Sequence, residues 1–223
     1  MVSQRFNDYR RFFVAAIAAA LVAPIFVPVA QAQTAGSPDE LIRSIATGVL
    51  DEVKADRTLQ TGDIERLNSL LDRRIMPHVN FQRMTALAVG RFWRSATPDQ
   101  QKVLMSEFRR LLLLTYADAV RQVSDTTIQM RPSRSRPEDD EVVVRTALVR
   151  PGKEPIQLDY RLERIPGGWR IFDINILGLW LVENYRTQFA QVIGANGIDG
   201  LIQSMKEKNT SLAATAQSKR TTR

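Results

Sequence analysis

The most constraining feature of the sequence is the strict alternation of apolar and polar residues between positions 156 and 163. The apolar members are Ile156, Leu158, Tyr160 and Leu162. The residues between them are Gln157, Asp159, Arg161 and Glu163. Because successive side chains of a strand point to opposite faces, this segment predicts a sheet with one apolar face and one solvated face. The apolar face must be covered by other elements of the chain.

Three neighbouring segments extend the predicted sheet. Residues 126–131, 141–150 and 169–176 are rich in the residue types that favour strands. The linkers between the last three strands are short and contain Pro and Gly, which is typical of antiparallel neighbours. In the segment 141–150, one face carries Val142, Val144, Thr146 and Leu148. We therefore expect a curved antiparallel meander of about four strands, with the third strand spanning residues 156–164.

Helices are predicted before and after the sheet along the chain. Residues 37–40, 61–63 and 97–100 combine a capping side chain with Pro or acidic residues, which is typical of a helix start. Apolar residues recur at helical spacing after each start. Two more helices are expected at residues 179–192 and 198–208. Helices, then a sheet, then helices indicate an α+β fold.

The first 32 residues have the pattern of a secretory signal peptide. Arg5, Arg10 and Arg11 precede an uncharged apolar run, which ends in small residues that predict cleavage after Ala32. A transmembrane anchor is the alternative, but two prolines in the run disfavour a continuous helix. We therefore expect an exported, soluble protein with a folded domain at residues 33–208.

Charge and composition narrow the classes of function. Of the net charge of +7, residues 1–32 carry +2 and the segment from Lys206 onward carries +4, so the folded part is nearly neutral. This distribution does not indicate a nucleic-acid partner. Residues 209–223 are rich in Ser, Thr, Ala and Lys, which predicts a disordered basic tail. The chain has no cysteine and one histidine, which excludes disulfides and Cys/His zinc sites. We expect no metal and no cofactor.

Two helical segments are more apolar than one sheet face requires. The helix around residues 111–114 is apolar on all sides, and residues 177–189 behave in the same way. A helix that is hydrophobic all round is either buried on both sides or faces something other than protein. Both interpretations stay open, a central core helix and the wall of a cavity.

Candidates for catalysis are few. His78 follows Pro77 at a junction between a loop and a helix, and no G-x-S-x-G motif accompanies it. Asp173 stands between apolar residues in the last strand, where burial could raise the pKa of a general base. An enzyme, a small isomerase or hydrolase, would use Asp173 as the general base with Tyr160 or Tyr116 as an oxyanion donor. The other interpretation is a structural role, in which Asp173 faces outward or pairs with an arginine. We favour this interpretation and expect no enzymatic activity.

Several ordered segments together resemble the MlaC (toluene-tolerance) family of periplasmic phospholipid-binding proteins. In the first half of the chain they read MPHVNFQRM at 76–84, ALAVGRFWR at 86–94, EFR at 107–109 and TYA at 115–117. In the second half they read YRL at 160–162, GWRIFD at 168–173, NYRTQF at 184–189 and GIDGLI at 197–202. The chain departs from the family at Leu179 and Trp180, where a valine-serine pair is usual.

The resemblance implies a soluble, monomeric carrier that shuttles phospholipid between the outer and inner membranes and so maintains outer-membrane lipid asymmetry. Its partners would be an outer-membrane lipoprotein–porin complex and an inner-membrane ABC transporter with an MCE-domain ring. It also implies an NTF2-like sheet with helices on its concave face and an acyl-chain cavity between them. A hopanoid is an alternative cargo.

We predict a lipid-binding lining from both the sheet and the helices. The sheet residues are Val144, Thr146, Leu148, Ile156, Leu158, Tyr160 and Leu162. The helix residues are Phe108, Leu111, Leu112, Tyr116, Trp180, Val182, Tyr185 and Phe189.

Overall fold

The computed structural model describes residues 36–120, 125–132, 136 and 138–221 of the chain. The predicted signal peptide and the cleavage after Ala32 lie outside these residues. Among the described residues, no helix combines the length and the apolar composition needed to cross a bilayer.

Six helices are described, and they flank the sheet in the sequence. Their bounds are α1 Pro38–Ala55, α2 Arg57–Gln60, α3 Ile64–Arg74, α4 Phe81–Val89, α5 Pro98–Val120 and α6 Leu181–Thr221. Short 3-10 turns follow α3 at Met76–His78 and α4 at Gly90–Ser95.

Three of the predicted helix starts, those before α1, α3 and α5, are confirmed by the structure. Ser37 and Glu40 form a reciprocal capping box at the start of α1. The carboxylate of Asp63 accepts hydrogen bonds from the first backbone amides of α3. Thr97 and Gln100 form a second reciprocal capping box before α5, in which each side chain accepts a hydrogen bond from the other residue's backbone amide. Each cap satisfies amides that a helix leaves without an internal partner, so the local sequence decides where these helices begin.

The sheet has five antiparallel strands in sequence order. They are β1 Thr127–Arg131, β2 Glu141–Val149, β3 Ile156–Ile165, β4 Gly168–Ile176 and β5 Leu179–Trp180. The predicted α+β class is confirmed, with five strands instead of about four. The additional strand is β5, where the sequence predicted the start of a helix.

A tight hairpin turn explains why β5 forms before the helix. Leu177 and Gly178 both have positive φ, at 53° and 89°. Two successive residues of this kind make the turn that matches the twist of antiparallel strands. The side chain of Asn175 accepts a hydrogen bond from the Gly178 amide. The chain therefore reverses onto β4 for two residues, and α6 begins at Leu181.

The strand register brings the predicted apolar face together. Val142 lies opposite Leu162, Val144 opposite Tyr160 and Thr146 opposite Leu158. This face joins the main hydrophobic core, in which its residues pack with others from α1, α4, α5 and α6. The alternation in β3 thus predicted which face the helices cover.

Helix α6 joins and extends two predicted helices. It spans 41 residues, with a kink at Gly197, where φ is 70°. It also continues through Thr221, whereas the composition predicted a disordered tail from residue 209. Asn209 is only 1% exposed, and its amide donates to the main-chain oxygen and to the carboxylate of Glu107 at 3.0 and 2.8 Å. Because Asn209 holds this part of α6 against α5, the helix continues into a segment whose composition favours disorder.

Candidate functional site

A cavity of about 260 Å³ lies between strand β4 and helices α1, α3, α4 and α5. Its sheet wall consists of Ile174 and Ile176. The helices and the turn after α3 contribute the remaining lining: Val49, Leu67, Leu70, Leu71, Ile75, Met76, Val79, Phe81, Met84, Arg109, Leu112, Leu113, Tyr116, Ala117, Val120 and Leu181. With the exception of Arg109, every lining residue is apolar or aromatic.

The cavity lies where two hydrophobic clusters meet. The main core contains residues such as Val79 and Met84, and Ile174 packs on its edge. A smaller cluster contains Leu67, Leu70 and others from α1, α2, α3 and α5. Both clusters contribute to the lining, so α3 is separated from the sheet by unfilled apolar space. Such space is costly for a folded protein and tends to stay dry, which favours an apolar occupant.

Polar groups at the cavity are few. Burial raises the pKa of the Tyr116 phenol, which keeps this lining side chain neutral over the ordinary pH range. The guanidinium of Arg109 donates from Nη2 to Asn68 Oδ1 at 3.0 Å and to Asp72 Oδ1 at 2.6 Å. The described residues contain no group of three or more side chains placed to hold a metal ion. The lining therefore suits a hydrocarbon ligand.

Two of the predicted lining residues, Leu112 and Tyr116, contact this cavity. Seven others lie buried in the main core: Phe108, Leu111, Val144, Leu162, Val182, Tyr185 and Phe189. The rings of Phe108, Tyr185 and Phe189 pack on one another with centroids 4.9 to 5.4 Å apart.

The remaining predicted residues lie on the sheet. Thr146 is buried, and its hydroxyl donates to the Leu158 carbonyl at 2.7 Å. Tyr160 packs on the main core, and burial raises its pKa to about 12. Leu148, Ile156 and Leu158 are partly buried on the same face.

Trp180 is placed on the opposite face of the sheet. It pairs with Asn175, whose neighbour in β3 is Asp159 on the polar side of the alternation. The guanidinium of Arg161 stacks on the Trp180 ring, 3.9 Å from its centroid. This cation–π contact stabilises both side chains on the outer face of the sheet, and Trp180 does not line the cavity.

The lining that sequence reasoning missed comes mainly from β4 and α3. Ile174 lies opposite Tyr160, and Ile176 lies opposite Leu158, so both share the apolar face. Extending the alternation by one strand would have found them. Leu67, Leu70 and Leu71 recur at helical spacing. That spacing identifies the buried side of α3 but not the partner on which it packs.

Asp173 is buried on the face opposite the cavity, next to lining residue Ile174. Its Oδ1 accepts hydrogen bonds from the amides of Ile174 and Val182 at 2.9 and 3.0 Å, and its Oδ2 accepts one from Arg161 at 3.1 Å. Burial raises the pKa of this carboxyl. Through its hydrogen bond from the Val182 amide, the carboxylate caps the start of α6. Tyr160 shares the face of Ile174, and Tyr116 lines the cavity together with Ile174. Both candidate oxyanion donors of the enzymatic alternative therefore lie on the side of the sheet opposite Asp173.

A helix-covered antiparallel sheet with an apolar cavity defines a class of α+β protein suited to an apolar ligand, and comparison with known proteins identifies the family. The family model "MlaC protein" matches residues 43–207, so the chain belongs to the MlaC family of phospholipid-binding transport proteins. The predicted family membership is confirmed.

Several known proteins are similar to this chain, and three of them show the range of similarity. The phospholipid-binding protein of Ralstonia solanacearum, solved in complex with a phospholipid, is 41% identical and has a TM-score of 0.77, and the match covers 80% of this chain and 99% of that one. The intermembrane phospholipid transport system binding protein MlaC of Haemophilus influenzae is 22% identical over 77% of this chain and 81% of its own. The toluene tolerance protein ttg2D of Pseudomonas putida is 24% identical over 74% of this chain and 77% of its own.

Proposed function

We propose that the protein is a periplasmic carrier that holds phospholipid acyl chains in the cavity and shuttles lipid between the outer and inner membranes. The observation that carries the proposal is the apolar lining at the junction of the two hydrophobic clusters. It is supported by the phospholipid bound to the similar Ralstonia protein. The export pattern of residues 1–32 agrees with this location.

A carrier of this kind needs no chemistry. Each methylene kept out of water is worth about 0.8 kcal/mol, so the acyl chains of a phospholipid cross water very slowly without help. Moving the chains from a bilayer into an equally apolar cavity costs little, and the exchange is reversible. A cavity of about 260 Å³ is smaller than a whole phospholipid requires. Loading must therefore enlarge the cavity.

The proposed carrier catalyses no reaction, and it exchanges lipid with one protein complex in each membrane. The lone pairs of Asp173 are engaged by two amides and an arginine, which disfavours its use as a general base. The intermembrane transport system named for the Haemophilus relative supports lipid exchange with both membranes. An inner-membrane ABC transporter with an MCE-domain ring and an outer-membrane lipoprotein–porin complex are the corresponding partners of a monomeric carrier.

Lipid occupancy provides the direct test. The full chain is expressed with its own N-terminal segment, purified without detergent and weighed by native mass spectrometry. We expect a bound species with the mass of a phospholipid, which organic extraction removes. A bound hopanoid would change the cargo, and a protein without extractable lipid even after incubation with liposomes would contradict the carrier function.

A cavity-filling substitution tests the location of the lipid. Leu112→Trp adds a large ring to the lining, so we expect lipid occupancy to fall severalfold while the fold is retained. The matched control is Ala119→Trp, on an exposed position of the same helix, which should keep wild-type occupancy. Circular dichroism verifies folding in both variants. Full occupancy in folded Leu112→Trp protein would exclude this cavity as the lipid site.

A further inference from the structure

Arg109 stands at the boundary between the apolar cavity and a second, more polar space. An adjoining cleft of about 870 Å³ is lined by residues from α3, α5 and the end of α6. Arg109 and Leu113 line both spaces. A ligand with an apolar part in the cavity and a polar part in the cleft would have to pass this arginine.

The hydrogen bonds of Arg109 are incomplete. Its Nη2 donates to Asn68 and Asp72, which ties α5 to α3. Its Nε is buried, yet this donor meets no acceptor among the described residues. Buried donors in folded proteins nearly always have a partner, so an unpaired one beside a cavity indicates an acceptor supplied from outside the chain.

We infer that Arg109 binds the phosphate group of the phospholipid whose acyl chains occupy the cavity. The inference rests on the proposed carrier function and adds a head-group contact to it. A guanidinium offers donors in a planar fork that matches two phosphate oxygens, and such charge-assisted bonds are stronger than neutral ones. The acyl chains then lie on the cavity side of Arg109, and the head group lies in the cleft. Inorganic phosphate shares the same chemistry and is the other source of such a ligand.

Asp72 separates a binding role of Arg109 from a purely structural one. Its carboxylate pairs with the guanidinium and is about half exposed. A phosphate would compete with this carboxylate for the positive charge. Removing the Asp72 charge should therefore leave phosphate binding intact or strengthen it, even though it weakens the link between α3 and α5.

The experiment compares two lipids that differ in the head group. The full chain, purified without detergent, is incubated with vesicles that contain equal amounts of dioleoylphosphatidylglycerol and dioleoylglycerol. Native mass spectrometry gives the ratio of the two bound species. We expect Arg109→Gln to lower the ratio of phospholipid to diacylglycerol by about tenfold while diacylglycerol still binds. Asp72→Asn should keep or raise the ratio, and Arg66→Gln, an exposed arginine of α3, should leave it unchanged.

The contrary outcomes are distinct. An unchanged ratio in Arg109→Gln overturns the head-group contact but leaves the carrier function standing. A ratio that falls equally in Asp72→Asn shows that Arg109 acts only by holding the two helices together. A melting temperature that rises with inorganic phosphate in wild type but not in Arg109→Gln, together with an unchanged lipid ratio in that variant, would assign the site to free phosphate instead. Wild-type protein that takes up neither lipid contradicts the carrier function itself.

Discussion

At the scale of single residues, Asp173 connects the sheet to the last helix. Its carboxylate caps α6 through the Val182 amide and pairs with Arg161 on the outer face of the sheet. We predict that Asp173→Ala lowers the free energy of unfolding by about 1–2 kcal/mol, because it leaves buried amides without an acceptor. Asp173→Asn keeps an oxygen at the same place and should cost less. Denaturant unfolding measures both, with Asp51→Asn, at an exposed position of α1, as the control.

Asp173→Asn also distinguishes a structural carboxylate from a catalytic one. We expect Asp173→Asn to retain lipid occupancy in proportion to its stability. A folded, fully loaded variant that has lost its cellular function would instead support the enzymatic alternative.

Burial of Asp173 also predicts a pH dependence. Because its pKa is raised above the ordinary value of 3.8, the folded protein binds this proton more tightly than the unfolded chain does. The contribution of Asp173 to stability therefore increases as pH falls through the raised pKa towards 3.8, and it is smallest at neutral pH. Relative to Asp173→Asn, wild type should gain stability between pH 7 and pH 4. A difference between the two proteins that is independent of pH would contradict this linkage.

At the scale of elements, the kink of α6 depends on one glycine. Gly197 has a φ of 70°, and a Cβ added there would meet no atom within 4 Å. The cost of Gly197→Ala is therefore backbone strain alone, and we expect a loss of about 1 kcal/mol. Gly194 lies in the helix without positive φ and with equally open space, so Gly194→Ala should be neutral or stabilise by about 0.5–1 kcal/mol. Thermal unfolding of the pair provides the measurement, and equal effects would show that the kink carries no conformational strain.

At the scale of the whole molecule, the two hydrophobic clusters meet around unfilled space. A lipid in the cavity would contact both clusters and bind only the folded state. Ligand at about 100 times its dissociation constant stabilises by about 2.7 kcal/mol, which corresponds to a rise in Tm of roughly 5–10 °C for a chain of this size. We predict this rise when delipidated protein is reloaded from phospholipid vesicles. Ala119→Trp should show the same rise and Leu112→Trp should not, whereas equal melting of loaded and delipidated protein would contradict binding at this junction.

The sequence by itself determined the class of fold, the starts of α1, α3 and α5, and the covered face of the sheet. These features depend on local chemistry: caps at Ser37 and Asp63 supply acceptors to nearby amides, and alternation in β3 follows from the geometry of a strand. Ordered motifs along the chain also indicated the family, which the family model confirms.

Only the tertiary structure decided where the cavity lies. Helix α5 is apolar on all sides around residue 112, so periodicity does not determine that Phe108 and Leu111 turn to the core while Leu112 and Tyr116 face the cavity. That rotation depends on the packing of α5 against α3 and α6, which are distant in sequence. Trp180 likewise moved to the outer face because a hairpin turn, and not its own apolar character, set its register. A cavity is the space that distant elements leave between them, and no local pattern encodes it.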